Sequence, residues 1–158
     1  KKSRIISAHQ QVIRFDKEGT NEISNKSQKE ILKTFESIIG NYDSVLLSDY
    51  GKGILTKNLT KSLITIANKK NIKVLVDPKG NDYSKYNGAY LPTPNKKEAS
   101  QATGITIKND NTLTKAITQL KTECNLDLSI ITLSDQGIAV YDDSFRIHPT
   151  FTREVFDI

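Results

Sequence analysis

Residues 45–80, VLLSDYGKGILTKNLTKSLITIANKKNIKVLVDPKG, decide the fold. Val45-Leu46-Leu47 and Val74-Leu75-Val76 are short continuous apolar runs, the pattern of strands buried in a parallel sheet. Between them Thr56 opens a helix with Leu59, Leu63, Ile64 and Ala67 on one face. A helix of that length lets the chain return and pair parallel with the strand it left. Each run ends in a polar, glycine-containing loop: Ser48-Asp49-Tyr50-Gly51-Lys52-Gly53 after the first, Asp77-Pro78-Lys79-Gly80 after the second.

The alternation continues on both sides. Residues 4–16 alternate imperfectly through Ile5, Ile6, Val12, Ile13 and Phe15 and predict one or two strands, followed by a turn at Glu18-Gly19-Thr20-Asn21. Ser24 or Asn25 can cap a helix carrying Ile31, Leu32, Phe35, Ile38 and Ile39, with Gly40 placed to end it. A third short run at residues 89–91 is broken by Pro92-Thr93-Pro94. Asn95 then begins a helix that Gly104 stops, and Ile117 and Leu120 mark another over residues 113–124. Residues 128–133 predict a strand, Ser134-Asp135-Gln136-Gly137 a turn, and residues 138–141 and 145–147 a hairpin. The order predicts an α/β fold, a mainly parallel sheet with helices on both faces. No repeat, low-complexity tract or interdomain linker is visible.

The length of 158 residues suits about one domain and a core that needs no staples. One cysteine, Cys124, excludes an internal disulfide framework and is compatible with a reducing, cytoplasmic setting. No apolar run approaches the roughly 18 residues of a membrane span. The chain has no methionine and opens on Lys1-Lys2, so it is expected to be a piece of a longer protein. The net charge of +5 raises nucleic-acid binding, but the lysines are scattered among acids such as Asp16, Glu18, Glu22 and Glu30, as on a solvated surface. His9, His148 and Cys124 have no metal-ligand or Cys-His spacing.

In open α/β sheets ligands sit at the carboxyl ends of the strands. Four polar loops are therefore expected along one edge: residues 48–53, 77–80, 93–98 and 132–137. Asn95-Lys96-Lys97-Glu98 reads as a capping box, Asn95 the cap and Glu98 its partner. The same helix start can hold anions, with a carboxylate for magnesium through water. Residues 132–137 read either as a plain strand-turn-strand or as a site for a nucleotide phosphate or ribose. Residues 48–53 read either as a plain turn or as a phosphate or sugar site, and are not a Walker A loop. Asp77-Pro78-Lys79-Gly80 is a good turn whose Asp and Lys could still touch a charged substrate.

Taken together and in order, Thr93-Pro94-Asn95-Lys96-Lys97-Glu98 and Thr132-Leu133-Ser134-Asp135-Gln136-Gly137 resemble the Asn-x-x-Glu and Thr-x-x-x-x-Gly markers of the ribokinase-like (PfkB) sugar kinase family. Residues 7–16, the Asp49-Tyr50-Gly51-Lys52-Gly53 loop and the Asp77-Pro78-Lys79-Gly80 loop are similar to one branch of it. That branch is the kinase domain of bifunctional bacterial heptose 7-phosphate kinases and heptose 1-phosphate adenylyltransferases. The resemblance implies a ribokinase-like three-layer fold, present here as its central to C-terminal part. It implies transfer of the ATP γ-phosphate to O1 of D-glycero-D-manno-heptose 7-phosphate, for ADP-heptose and the lipopolysaccharide inner core, by a parent expected to be a homodimer. By the same resemblance Asn95 and Glu98 belong to the ATP–Mg2+ site, with Glu98 reaching the metal through water and Lys96 and Lys97 contributing backbone. Thr132, Ser134, Gln136 and Gly137 would border the nucleotide, and Asp49, Lys52, Asp77 and Lys79 would line the floor between sugar and phosphate.

The family's catalytic base is the Asp of a Gly-Ala-Gly-Asp motif, which these residues do not contain. Glu154-Val155-Phe156-Asp157-Ile158 resembles the segment before it, so Asp157 is not that base. The family's N-terminal sugar-binding part and the adenylyltransferase domain are likewise not among them. The chain by itself is expected not to turn over. Other readings are a PfkB-type kinase for another sugar and a non-catalytic nucleotide-binding or dimerisation module.

Overall fold

The computed structural model describes residues 2–7, 10–16 and 19–150; His9 and the whole segment from 151 to 158, with Asp157, lie outside the described residues. β1 (Lys2–Ser7) and β2 (Gln10–Asp16) form an antiparallel pair, Arg4 opposite Arg14, with an irregularity between Ile5 and Ile6. The alternation read from the sequence thus belongs to two strands. Ile5, Ile6, Val12, Ile13 and Phe15 are all exposed.

α1 (Asn25–Ile38) starts at Ser24, whose side chain accepts the Ser27 amide, which satisfies one of the orphan donors of the first turn. Gly40 does not end the helix through a left-handed cap. It lies within a 3-10 turn, Ile39–Asn41, that tightens the last turn and buries Ile39. β3 (Ser44–Ser48), α2 (Lys57–Lys69) and β4 (Lys73–Asp77) form the expected crossover: Val45 opposes Val74 and Leu47 opposes Val76 in parallel register. Thr56 caps α2 by accepting the Leu59 amide, and Leu59, Leu63, Ile64 and Ala67 are all buried. Burying each of the larger ones contributes roughly 1.5–3 kcal/mol.

The run Val45-Leu46-Leu47 differs from the reading of a strand buried on both sides. Leu47 is buried, but Leu46, on the opposite face, is 68% exposed. Among the described residues β3 pairs only with β4, so it is an edge strand.

A 3-10 segment, Tyr83–Tyr86, follows β4 and buries both tyrosines, ring against ring edge-to-face at 5.5 Å. β5 (Leu91–Pro92) pairs parallel with β4, Pro92 included; proline supplies no donor there, and the Thr93 amide resumes pairing with the Val76 carbonyl at 2.8 Å. α3 (Lys96–Thr103) ends at Gly104 in the left-handed conformation, and α4 (Asp110–Glu123) is capped by Asn109. β6 (Ser129–Thr132) joins the sheet beside β5: the Leu128 amide donates to Tyr90 at 3.0 Å, the Thr132 amide to Pro94 at 2.9 Å, and Asn95 bridges Thr132 in parallel sense. The 3-10 turn Ser134–Gln136 then leads to β7 (Ile138–Tyr141) and β8 (Phe145–His148), both antiparallel. The result is an α/β sheet, parallel from β3 to β6 and continued by a hairpin. Its core contains Val74 and Val76 of β4, Ile117 and Leu120 of α4, Ile131 of β6 and Ala139 of β7.

Candidate functional site

The carboxyl ends of β3, β4, β5 and β6 bring the four polar loops to one edge, as their place after each strand requires. Ladder hydrogen bonds continue past the strands and tie the loops together. The Asp49 amide donates to the Asp77 carbonyl at 2.9 Å, and the Ser48 hydroxyl reaches Asp77 Oδ2 at 3.2 Å.

The capping box at α3 is complete. Asn95 Oδ1 accepts the Glu98 amide at 2.9 Å, and Glu98 Oε2 accepts the Asn95 amide at 3.1 Å. The other carboxylate oxygen, Oε1, lies 3.3 Å from Lys79 Nζ. One oxygen of Glu98 therefore closes the cap while the other faces the Lys79 ammonium. Lys79, from the loop after β4, stands at the start of the helix after β5. Thr132 joins the same region through its bridge to Asn95. Lys96 and Lys97 are exposed.

Asp49 has a different environment from the one its loop suggests. It is 6% exposed. Its Oδ1 accepts the Gly51 amide at 2.7 Å; its Oδ2 accepts the Tyr86 hydroxyl at 2.7 Å and pairs with Lys85. Burial alone would raise its carboxyl, but the hydrogen bonds from Lys85, Gly51 and Tyr86 outweigh that and hold it below the ordinary carboxylate value. Tyr86 is pushed well above the usual phenol range by its own burial, and the Asp49 carboxylate adds to the shift. Lys85 and Tyr86 lie in no motif; a polar residue beside a buried tyrosine after a strand gives no local signal, because their partner is 36 and 37 residues away. Lys52, on the same loop as Asp49, lies 6.0 Å from the centre of the Tyr50 ring.

An open cleft of about 430 Å³ runs between these loops, with Gly51, Lys57, Lys79, Gly80 and Lys85 along it. The residues 132–137 divide between two other hollows. Gln136 shares one of about 330 Å³ with Lys96 and Asn109, while Thr132, Ser134 and Gly137 face one of about 410 Å³ with His148 and Thr150. Gly137 is needed for a close approach, but to the protein's own chain: a Cβ there would stand 2.0 Å from the His148 carbonyl oxygen.

The donor set fits a magnesium nucleotide. Glu98 is a hard oxygen donor at a helix N-terminus, with an ammonium beside it, and Mg2+ is commonly held by one or two carboxylates, waters and phosphate. Among the described residues no three His, Cys, Asp or Glu side chains stand together as a metal cage, and no helix is long and apolar enough to cross a membrane.

Comparison with known proteins gives a consistent result. The profile of the pfkB family carbohydrate kinases matches residues 2–158. The chain is 54% identical over 158 residues to the bifunctional protein HldE of Aliarcobacter butzleri and 55% identical over 158 residues to that of Sulfurimonas denitrificans. It covers 100% of its own length and 33% of theirs, so it spans about a third of these relatives. Among solved structures, Escherichia coli phosphofructokinase-2 in complex with potassium shares the fold at a TM-score of 0.67 and 20% identity, over 89% of this chain and 46% of that one. Arabidopsis thaliana ribokinase complexed with ribose and ATP does so at 0.63 and 15%, over 85% and 41%.

Proposed function

This chain belongs to the pfkB family of carbohydrate kinases, and from that premise we propose that its parent transfers the ATP γ-phosphate to O1 of D-glycero-D-manno-heptose 7-phosphate. The product would feed ADP-heptose and lipopolysaccharide inner-core synthesis. The observation that carries the reading is the junction of Lys79, Glu98 and Asn95, where the loop typical of the heptose branch meets the family's Asn-x-x-Glu. The identity to two bifunctional HldE proteins over the whole chain supports it.

Phosphoryl transfer is chiefly positioning and charge stabilisation. Bound Mg2+ would neutralise charge on the ATP phosphates. Glu98 would hold it through water, and Asn95 would keep Glu98 aimed by closing the box around the first helical turn. Lys79 would exchange part of its attraction to Glu98 for the charge of a phosphate group. Lys52 and Asp77 would line the acceptor side, and Thr132, Ser134, Gln136 and Gly137 the nucleotide side. Asp49, held by three donors at the wall of the cleft, would fix its loop there. The 158 residues are read as the central to C-terminal part of one kinase domain in a homodimeric parent. They would not turn over alone, because they contain no Gly-Ala-Gly-Asp.

The test is ADP release by the full-length protein with magnesium-ATP and a panel of sugar phosphates. The expected result is a strong preference for heptose 7-phosphate, with Glu98→Gln lowering kcat at least ~tenfold at an unchanged melting temperature. Preference for another sugar phosphate would overturn the heptose assignment. No ADP release with any sugar would overturn the kinase reading in favour of a binding module.

A further inference from the structure

Lys85 and Tyr86 are where two strand-end loops are fastened together. Both sit on the 3-10 segment Tyr83–Tyr86, outside the four loops, with Tyr86 fully buried and Lys85 bordering the cleft. The Tyr86 hydroxyl, on a side chain with no exposed surface, donates to Asp49 Oδ2 at 2.7 Å and accepts from the Lys79 amide at 3.1 Å. Lys85 binds the same Asp49 oxygen, and its ammonium lies 5.0 Å from the centre of the Tyr86 ring. Asp49 Oδ1 holds the Gly51 amide. One carboxylate and one phenol therefore anchor the loop after β3 and the loop after β4.

The second anchor matters for Lys79. Its side chain is 56% exposed, and a lysine head on a four-carbon stem carries about 2 kcal/mol of rotamer entropy. Such a head keeps its place at Glu98 only if the base of the stem is fixed. The bond from the Lys79 amide to the Tyr86 hydroxyl fixes that base. The phenol is itself oriented, because its only proton is committed to a carboxylate that Lys85 holds in place.

Resting on the phosphotransfer reading above, we infer that Lys85 and Tyr86 are positioning residues: through Asp49 and the Lys79 amide they set where the Lys79 ammonium stands at the start of α3. Tyr86, which has no exposed surface, can act only through these contacts.

The experiment is a double-mutant cycle in the full-length protein, reading kcat/KM for heptose 7-phosphate at saturating magnesium-ATP. Tyr86→Phe, which keeps the ring and removes the oxygen, is expected to lower kcat/KM about tenfold, the order expected for one hydrogen bond to a charged group. Lys79→Ala is expected to lower it at least as far, and Tyr86→Phe added to Lys79→Ala to lower it no further. Lys85→Met should behave like Tyr86→Phe, and Lys85→Arg should restore most of the loss. Losses that multiply in the double variant, or a Tyr86→Phe protein within twofold of the unaltered one, would overturn the inference while leaving the kinase reading intact. If the unaltered protein releases no ADP with any sugar phosphate, the kinase reading fails, and this inference fails with it.

Discussion

Replacing Gly53 by alanine separates two costs that glycine conceals. Gly53 has φ +80°, and a Cβ there would lie 2.1 Å from the Asn21 carbonyl oxygen and 2.9 Å from the Glu22 amide nitrogen. The Ile23 amide also donates to the Gly53 carbonyl at 3.0 Å. The segment joining the β1–β2 pair to α1 thus crosses directly over the end of the 49–53 loop. Gly80, across the same cleft, has φ +87° with nothing within 4 Å of its Cβ position. It is the matched control, since alanine at Gly80 bears only the left-handed backbone cost of about 1–2 kcal/mol. Alanine at Gly53 adds a displaced backbone, about 1–3 kcal/mol by analogy with overpacking, and a hydrogen bond worth about 1 kcal/mol. The totals are about 1–2 kcal/mol for Gly80→Ala and about 3–6 kcal/mol for Gly53→Ala. With a urea slope of about 3 kcal/mol/M, the midpoint should fall by about 0.5 M for Gly80→Ala and by more than about 1 M for Gly53→Ala. The assay is urea unfolding of both full-length variants followed by circular dichroism. Equal midpoint shifts would refute the argument, because they would show that the connecting segment exerts no pressure on Gly53.

Two further results are expected. The Asp49 carboxyl is lowered in the folded protein, so the folded state binds fewer protons than the unfolded chain near the ordinary carboxylate value. Its contribution is therefore present above about pH 4 and lost as the pH falls through the folded value. The stability gap between the unaltered protein and Asp49→Asn should be steady from pH 7 to 5 and shrink below about pH 4, and a gap that stays constant in thermal melts down to pH 3 would contradict the sign. Ile117 has no exposed surface and lies in the core of α4. Ile117→Ala should cost about 2–5 kcal/mol in urea unfolding, and a loss under 1 kcal/mol would mean that α4 is not packed as described.

Much of this protein was legible along the chain because its signals are local. Apolar runs of three residues marked β3 and β4, and Thr56 and Asn95 announced their helices, since a cap acts on amides two or three residues away. The order of strand and helix then fixed the edge on which the polar loops would gather. The capping box was readable to the atom, because both of its partners lie within four residues. Gly40 was misread for the same reason: a glycine near a helix end is a good local sign of a left-handed cap, but a 3-10 turn closes this one.

What sequence reading could not supply depends on contacts between distant residues. That Asp49 is buried and paired depends on Lys85 and Tyr86, more than thirty residues later, arriving beside it. The meeting of Lys79 with Glu98 is a fact of strand order, since β4 and β5 must be adjacent for the two loops to touch. That Gly137 must lack a side chain because the His148 carbonyl returns against it is visible only once β8 is in place. The sequence alone determined the elements, the fold class and the edge that bears the loops, because propensity and capping act over a few residues. Only the tertiary structure decided which charges are paired and which face the cleft, because burial and pairing are properties of what packs against a side chain.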